Sequence, residues 1–134
     1  TGMFERAESL SEDPLQQYLI FLKLLAEMMA DLPNGHPGCL VASFTYESMQ
    51  LEPEVLKRIA DGLLSWRSLF GEHLQRVADV YPMKIPMRSE DMADMLTSVM
   101  EGGIVTSLTL NEPDILVRQI LQYRDFIRLQ FGDV

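Results

Sequence analysis

The residues able to do chemistry in this chain are few. Histidine occurs twice, as His36 and His73, and cysteine once, as Cys39. Neither histidine follows an acid by three positions, so the Glu-x-x-His pairs that hold two irons in helical bundles do not occur. There is no His-Glu-x-x-His and no glycine-rich phosphate loop. A single cysteine excludes an internal disulfide and a cysteine cluster for metal. With no base placed beside it, Cys39 reads as a small buried thiol rather than a nucleophile. Glu90, Asp91 and Asp94 crowd what reads as a helix start, where the helix dipole accounts for them. This inventory points away from an enzyme and calls for no cofactor or metal.

Binding is better represented. The chain has nine methionines. Met28, Met29, Met49, Met83, Met87, Met92, Met95 and Met100 lie on or beside the predicted inner faces of helices. A thioether side chain is flexible and polarisable, so methionines line sites that accept varied apolar shapes. Together with Tyr18, Leu22, Leu25, Phe44, Trp66 and Phe70 they predict a pocket between helices, with Met29 and Met95 among its walls. Plain core packing is the competing account. His73 follows Phe70 by one helical turn and Trp66 by two, at the edge of the same stripe. It could bond a ligand or titrate near neutral pH, or be a satisfied core-edge histidine. Glu27 and Glu47 are the acids that would select cations if either faced the pocket.

Gly102 and Gly103 fall inside a helical pattern, where glycine costs stability. With Thr106 and Ser107 four residues later, they form strips of small side chains along which another helix can approach closely. A local kink is the alternative.

The elements that must position these residues are helices. Asp13 caps a helix with Pro14 at its first position, and Leu15, Tyr18, Leu19, Leu22, Leu25, Ala26 and Met29 recur at helical spacing until Pro33-Asn34-Gly35. A short, nearly all-apolar helix is predicted from about 38 to 49. Pro53 opens a long helix whose inner stripe runs Val55, Ile59, Leu63, Trp66, Phe70, Leu74, Val77 and Tyr81, with Gly62 inside it. The segment 81–88 holds too much proline to be helical. Ser89 caps a fourth helix, with Met92, Leu96, Val99, Gly103 and Leu110 in register. Asn111-Glu112-Pro113 breaks it, and Leu116, Ile120, Tyr123, Ile127 and Phe131 stripe the fifth, which Gly132 stops. Nothing alternates with period two. The prediction is one all-α domain over residues 1–134, a bundle of about five main helices, with the fate of Phe4 to Leu10 open.

At 134 residues the chain is long enough to bury a core. No apolar run approaches the roughly 20 residues a membrane span needs, so no membrane role is expected. The net charge of −9 argues against a grip on the phosphate backbone, which counterion release reserves for basic surfaces. Thr1-Gly2-Met3 reads as an internal cut in a longer protein, and cysteine usage points to a cytoplasmic setting.

Several steps in this order resemble the C-terminal half of TetR/AcrR-family transcriptional regulators. Pro37-Gly38-Cys39-Leu40-Val41 is similar to the family's Gly-Cys-Leu opening of its sixth helix. Trp66 stands where the seventh helix often carries tryptophan. Glu101-Gly102-Gly103-Ile104 resembles the Glu-Gly-Gly step of the eighth, and Asn111-Glu112-Pro113 the break before the ninth. The resemblance implies an effector-sensing domain, from a probable repressor, that binds a small, largely apolar molecule. It implies that the last two helices of each copy form a four-helix interface in a homodimer. Gly102, Gly103, Thr106, Ile120, Tyr123 and Ile127 are then the interface candidates. DNA would be reached only through an N-terminal helix-turn-helix domain that this sequence lacks. Two other readings compete: a small helical enzyme or cofactor-binding bundle, and an acidic helical adaptor.

Overall fold

The computed structural model describes residues 2–31 and 53–132. Within them lie five helices: α1 (Gly2–Ser9), α2 (Pro14–Ala30), α3 (Pro53–Val80), α4 (Ser89–Leu110) and α5 (Ile115–Gln130). The described residues form no strand. The all-α bundle is therefore as the periodicity predicts. The leading segment, left open by the sequence, forms α1, and its Phe4 and Ala7 are buried. The short helix predicted at 38–49, with Phe44, lies outside the described residues.

Local chemistry sets the helix ends. The Asp13 carboxylate accepts the Gln16 N–H at 3.0 Å, and Pro14 takes the first position of α2, where its missing N–H costs nothing. The other Asp13 oxygen accepts the Tyr81 hydroxyl at 2.8 Å, tying the start of α2 to the end of α3. The break after α4 is a Schellman turn. Asn111 adopts φ 55°, its N–H reaches the Leu108 carbonyl, and the Glu112 N–H reaches the Ser107 carbonyl at 3.0 Å. Ser107 then accepts the Leu116 N–H with its hydroxyl at 3.1 Å, capping the first turn of α5.

α2 runs through the middle, packed against α1, α3 and α5, while α4 packs against α3 and α5. Its buried residues, Leu15, Tyr18, Leu19, Phe21, Leu22, Leu25 and Ala26, span a wide face, as a helix with neighbours on three sides requires. α4 is antiparallel to both its partners. Arg67 meets Asp94 and Gln75 meets Ser89 across α3 and α4, while Tyr123 reaches the Met92 carbonyl across α4 and α5.

Two departures from the sequence reading matter for the site. The inner stripe of α3 is buried only from Phe70 onward, and Val55, Ile59 and Leu63 are half-buried. α3 has 28 residues and α2 has 17. At 1.5 Å per residue that is about 42 Å against about 25 Å, so much of the first half of α3 runs past α2. The second departure concerns the glycines. A Cβ on Gly103 would sit 2.9 Å from Leu116 Cδ1 and 3.1 Å from its Cα. The close helix approach that the small-residue strip permits is made by this chain's own α5. Gly102 has nothing within 4 Å of its Cβ direction and is exposed.

The connection at 81–88 is non-helical, as its prolines require. Gln130, 2 % exposed, holds it: Oε1 accepts the Ile85 N–H at 2.9 Å, and Nε2 donates to the Ile85 carbonyl.

Candidate functional site

A cavity of about 440 Å³ lies between α2, α3 and α4, with Met3 of α1 at its edge. Helical spacing builds each wall. From α2 come Phe21, Leu25, Met28 and Met29, at i, i+4, i+7 and i+8. Trp66 and Phe70 face it from consecutive turns of α3. α4 adds Leu96, Met100 and Ile104 on one strip, and Thr97 and Glu101 on the next. Among the described residues the lining is aromatic and methionine-rich, with Thr97 and Glu101 as its polar side chains, both from α4. Its size and character match those of small-molecule sites.

Phe70 lies in the packed part of α3, whereas Trp66, 37 % exposed, stands where α3 leaves the core. Arg67 pairs side-on with Asp94, with both contacts at 2.9 Å, and so fixes α3 against α4 one residue beyond Trp66.

Four of the pocket residues expected from the sequence meet here: Leu25, Met29, Trp66 and Phe70. Four others do not. Tyr18 and Leu22 are fully buried in the core and do not line the cavity. Met95 is 37 % exposed and misses the cavity strips of α4. Phe44 lies outside the described residues.

His73 is also corrected, from ligand contact to internal brace. It is fully buried. The Arg76 guanidinium donates to Nδ1 at 2.9 Å, which leaves the Nε2–H to donate to the Pro14 carbonyl at 2.8 Å. Burial holds its pKa below the ordinary value, and the neighbouring Arg76 charge adds to the effect. A neutral ring with both nitrogens engaged has nothing left for a ligand.

Of the interface candidates, Ile120, Tyr123 and Ile127 are buried inside this chain. The apolar stripe of α5 packs on α2 and α4, so it cannot also meet a second copy. Gly103 is buried against Leu116. Gly102 and Thr106 are exposed and, with Val99 and Gln119, line a second, shallower hollow of about 350 Å³ between α4 and α5.

The sequence reading missed Met3, Phe21, Leu96, Thr97, Glu101 and Ile104, while Met28 and Met100 belong to the methionine set it associated with a pocket. Glu27 is exposed and off the cavity, and the acid that lines it is Glu101. The four-residue spacing of Phe21 and Leu25, one helical turn, was the available signal for the α2 wall. No local signal marked Glu101, because only the tilt of α4 against α3 decides which of its strips faces the cavity.

Among the described residues, no three His, Cys, Asp or Glu side chains converge as a metal site requires. No helix there is long and apolar enough to cross a membrane. The chain matches no family model, no curated protein and no solved structure.

Proposed function

We propose that this chain is the effector-sensing and dimerisation domain of a TetR/AcrR-like transcriptional regulator, and that the cavity between α2, α3 and α4 is the effector site. The observation that carries this reading is the cavity itself: about 440 Å³, walled by aromatic and methionine side chains. The net charge of −9 leaves DNA binding to a separate, basic domain.

The same helices suggest how binding would be relayed. Met100, Glu101 and Ile104 touch the cavity, and Gly103, on the same turns of α4, seats Leu116 of α5 without room for a methyl group. A ligand that displaces α4 must displace α5, because packed interiors do not absorb such shifts. The effector acts by binding one arrangement of the two helices better than the other. A dimer built on α4 and α5 would use their outer face, at Val99, Gly102, Thr106 and Gln119, in place of the buried α5 stripe.

Emission from Trp66, the chain's one tryptophan, reports on the ligand part of this proposal. Apolar probes titrated into the protein are expected to shift it, and Trp66→Ala, followed by calorimetry, to weaken binding about tenfold or more while the solution mass is unchanged. Light scattering on a sizing column is expected to give a dimer at low micromolar concentration, and Gly102→Leu to give a monomer. A monomeric wild type, or Trp66→Ala that loses the dimer and keeps its ligand affinity, contradicts the proposal.

A further inference from the structure

We infer that the cavity has an oxidant-sensitive rim: hydrogen peroxide converts the Met28 thioether to a sulfoxide, and the cavity then holds an apolar ligand more weakly. This inference rests on the cavity being a ligand site, as proposed above. Among the described residues, four methionines line the cavity from three helices: Met3 of α1, Met28 and Met29 of α2, and Met100 of α4. Met3, Met29 and Met100 are half-buried, whereas Met28, in the last turn of α2, is 44 % exposed. A small oxidant in solution therefore meets Met28 without any opening of the fold, and the same side chain belongs to the wall that a ligand covers. Met95 is the other exposed methionine among the described residues, and it lies off the cavity.

The step balances with the peroxide alone. A sulfur lone pair attacks one peroxide oxygen, the S–O bond forms as the O–O bond breaks, and the second oxygen leaves as water. Sulfur is oxidised by two electrons and the peroxide is reduced by two. The product is a polar, chiral side chain in place of a flexible apolar one. Its oxygen accepts hydrogen bonds from water, and an apolar ligand seated against it strips that water and returns no partner. The wall also loses one of the soft, adaptable side chains that fit varied apolar shapes. Methionine sulfoxide reductases return the thioether, so the change is reversible.

The test uses tert-butylbenzene as the ligand probe, calorimetry to follow it, and peptide mass spectrometry to locate each added oxygen. Under hydrogen peroxide, Met28 and Met95 are expected to oxidise before the half-buried methionines. The oxidised protein is expected to bind the probe at least about fivefold more weakly, with its helical circular dichroism unchanged. Methionine sulfoxide reductase, but not its thiol reductant alone, should restore the affinity, which separates Met28 from oxidised Cys39. Met28→Leu should bind the probe within about threefold of the wild type before oxidation and lose less than about twofold after it. Met95→Leu should lose as much as the wild type. A reduced protein that does not bind the probe overturns both the ligand site and its sensitive rim. Unchanged affinity once Met28 carries the oxygen, or Met28 left intact while Met95 is oxidised, overturns the rim and leaves the cavity as a ligand site. A loss that persists in Met28→Leu, or that comes with loss of helix, removes Met28 from the role. Where Met28→Leu does not fold, Met95→Leu decides the point, by whether its loss of affinity tracks oxygen uptake at Met28.

Discussion

The Tyr18 hydroxyl donates to the Tyr123 hydroxyl across 2.9 Å, and Tyr123 donates in turn to the Met92 carbonyl at 2.8 Å. The order of donation is fixed at its far end, since a carbonyl can only accept. Three helices, α2, α5 and α4, are thus joined through one buried chain of hydrogen bonds. Burial pushes both phenol pKa values up, so neither ring ionises in the working range.

Because Tyr123 is the middle member, its loss is expected to cost most. Tyr123→Phe leaves the Tyr18 hydroxyl buried with no acceptor and is expected to destabilise by about 1–3 kcal/mol. Tyr18→Phe leaves the Tyr123–Met92 bond in place and should cost about 1 kcal/mol. The double variant should cost less than the sum, because the orphaned hydroxyl is gone. Urea denaturation of the four proteins checks this, and strict additivity would show the two hydroxyls to be uncoupled.

Adjacent glycines are expected to respond in opposite directions. Gly103→Ala places a methyl group 3.1 Å from the Leu116 backbone, so α5 must shift, at about 1–3 kcal/mol. Gly102→Ala meets nothing within 4 Å, lies mid-helix and is exposed. It is expected to stabilise by up to about 1 kcal/mol through helix propensity alone. Thermal melts of the two variants separate these outcomes, and a Gly103→Ala protein as stable as the wild type would refute the close approach.

His73 makes stability depend on mild acid. Its folded pKa lies below the ordinary value of about 6.5. Below that pH the unfolded chain takes up a proton that the folded chain refuses. The stabilisation is therefore whole above about pH 6.5 and declines as the pH falls toward the folded pKa. Lowering the pH from about 7 to about 5 is expected to lower the melting temperature, and His73→Gln to flatten that dependence even if its melting temperature is lower throughout. Protonation would also set the ring against Arg76, whose guanidinium is its hydrogen-bond partner. An equally steep decline in His73→Gln would assign the acid sensitivity to other groups.

The helices and their ends were legible from the residues alone. Asp13-Pro14, Pro53 and Asn111-Glu112-Pro113 act through backbone geometry and hydrogen bonds within a few positions, and such signals survive without knowledge of the rest of the chain, whereas Ser89, expected to cap α4, is its first residue and donates its hydroxyl to Gln75 of α3. The periodic stripes also marked which side of each helix turns inward, for instance Leu116, Ile120, Tyr123 and Ile127 on α5, all buried. Periodicity does not say what an inward face meets. Tyr18 and Leu25 share the buried side of α2, yet one packs on Tyr123 and the other lines the cavity. Gly103 announced a close approach, and only the fold assigned it to Leu116 of the same chain. His73 read as a pocket-edge titrating group until the fold set Pro14 and Arg76, from α2 and its own helix, against its two nitrogens. Short-range chemistry is written in neighbouring residues. The cavity, the brace at His73 and the carboxylate of Glu101 depend on where α2 ends relative to α3 and on which strip of α4 turns toward them, and those are properties of packing among distant segments.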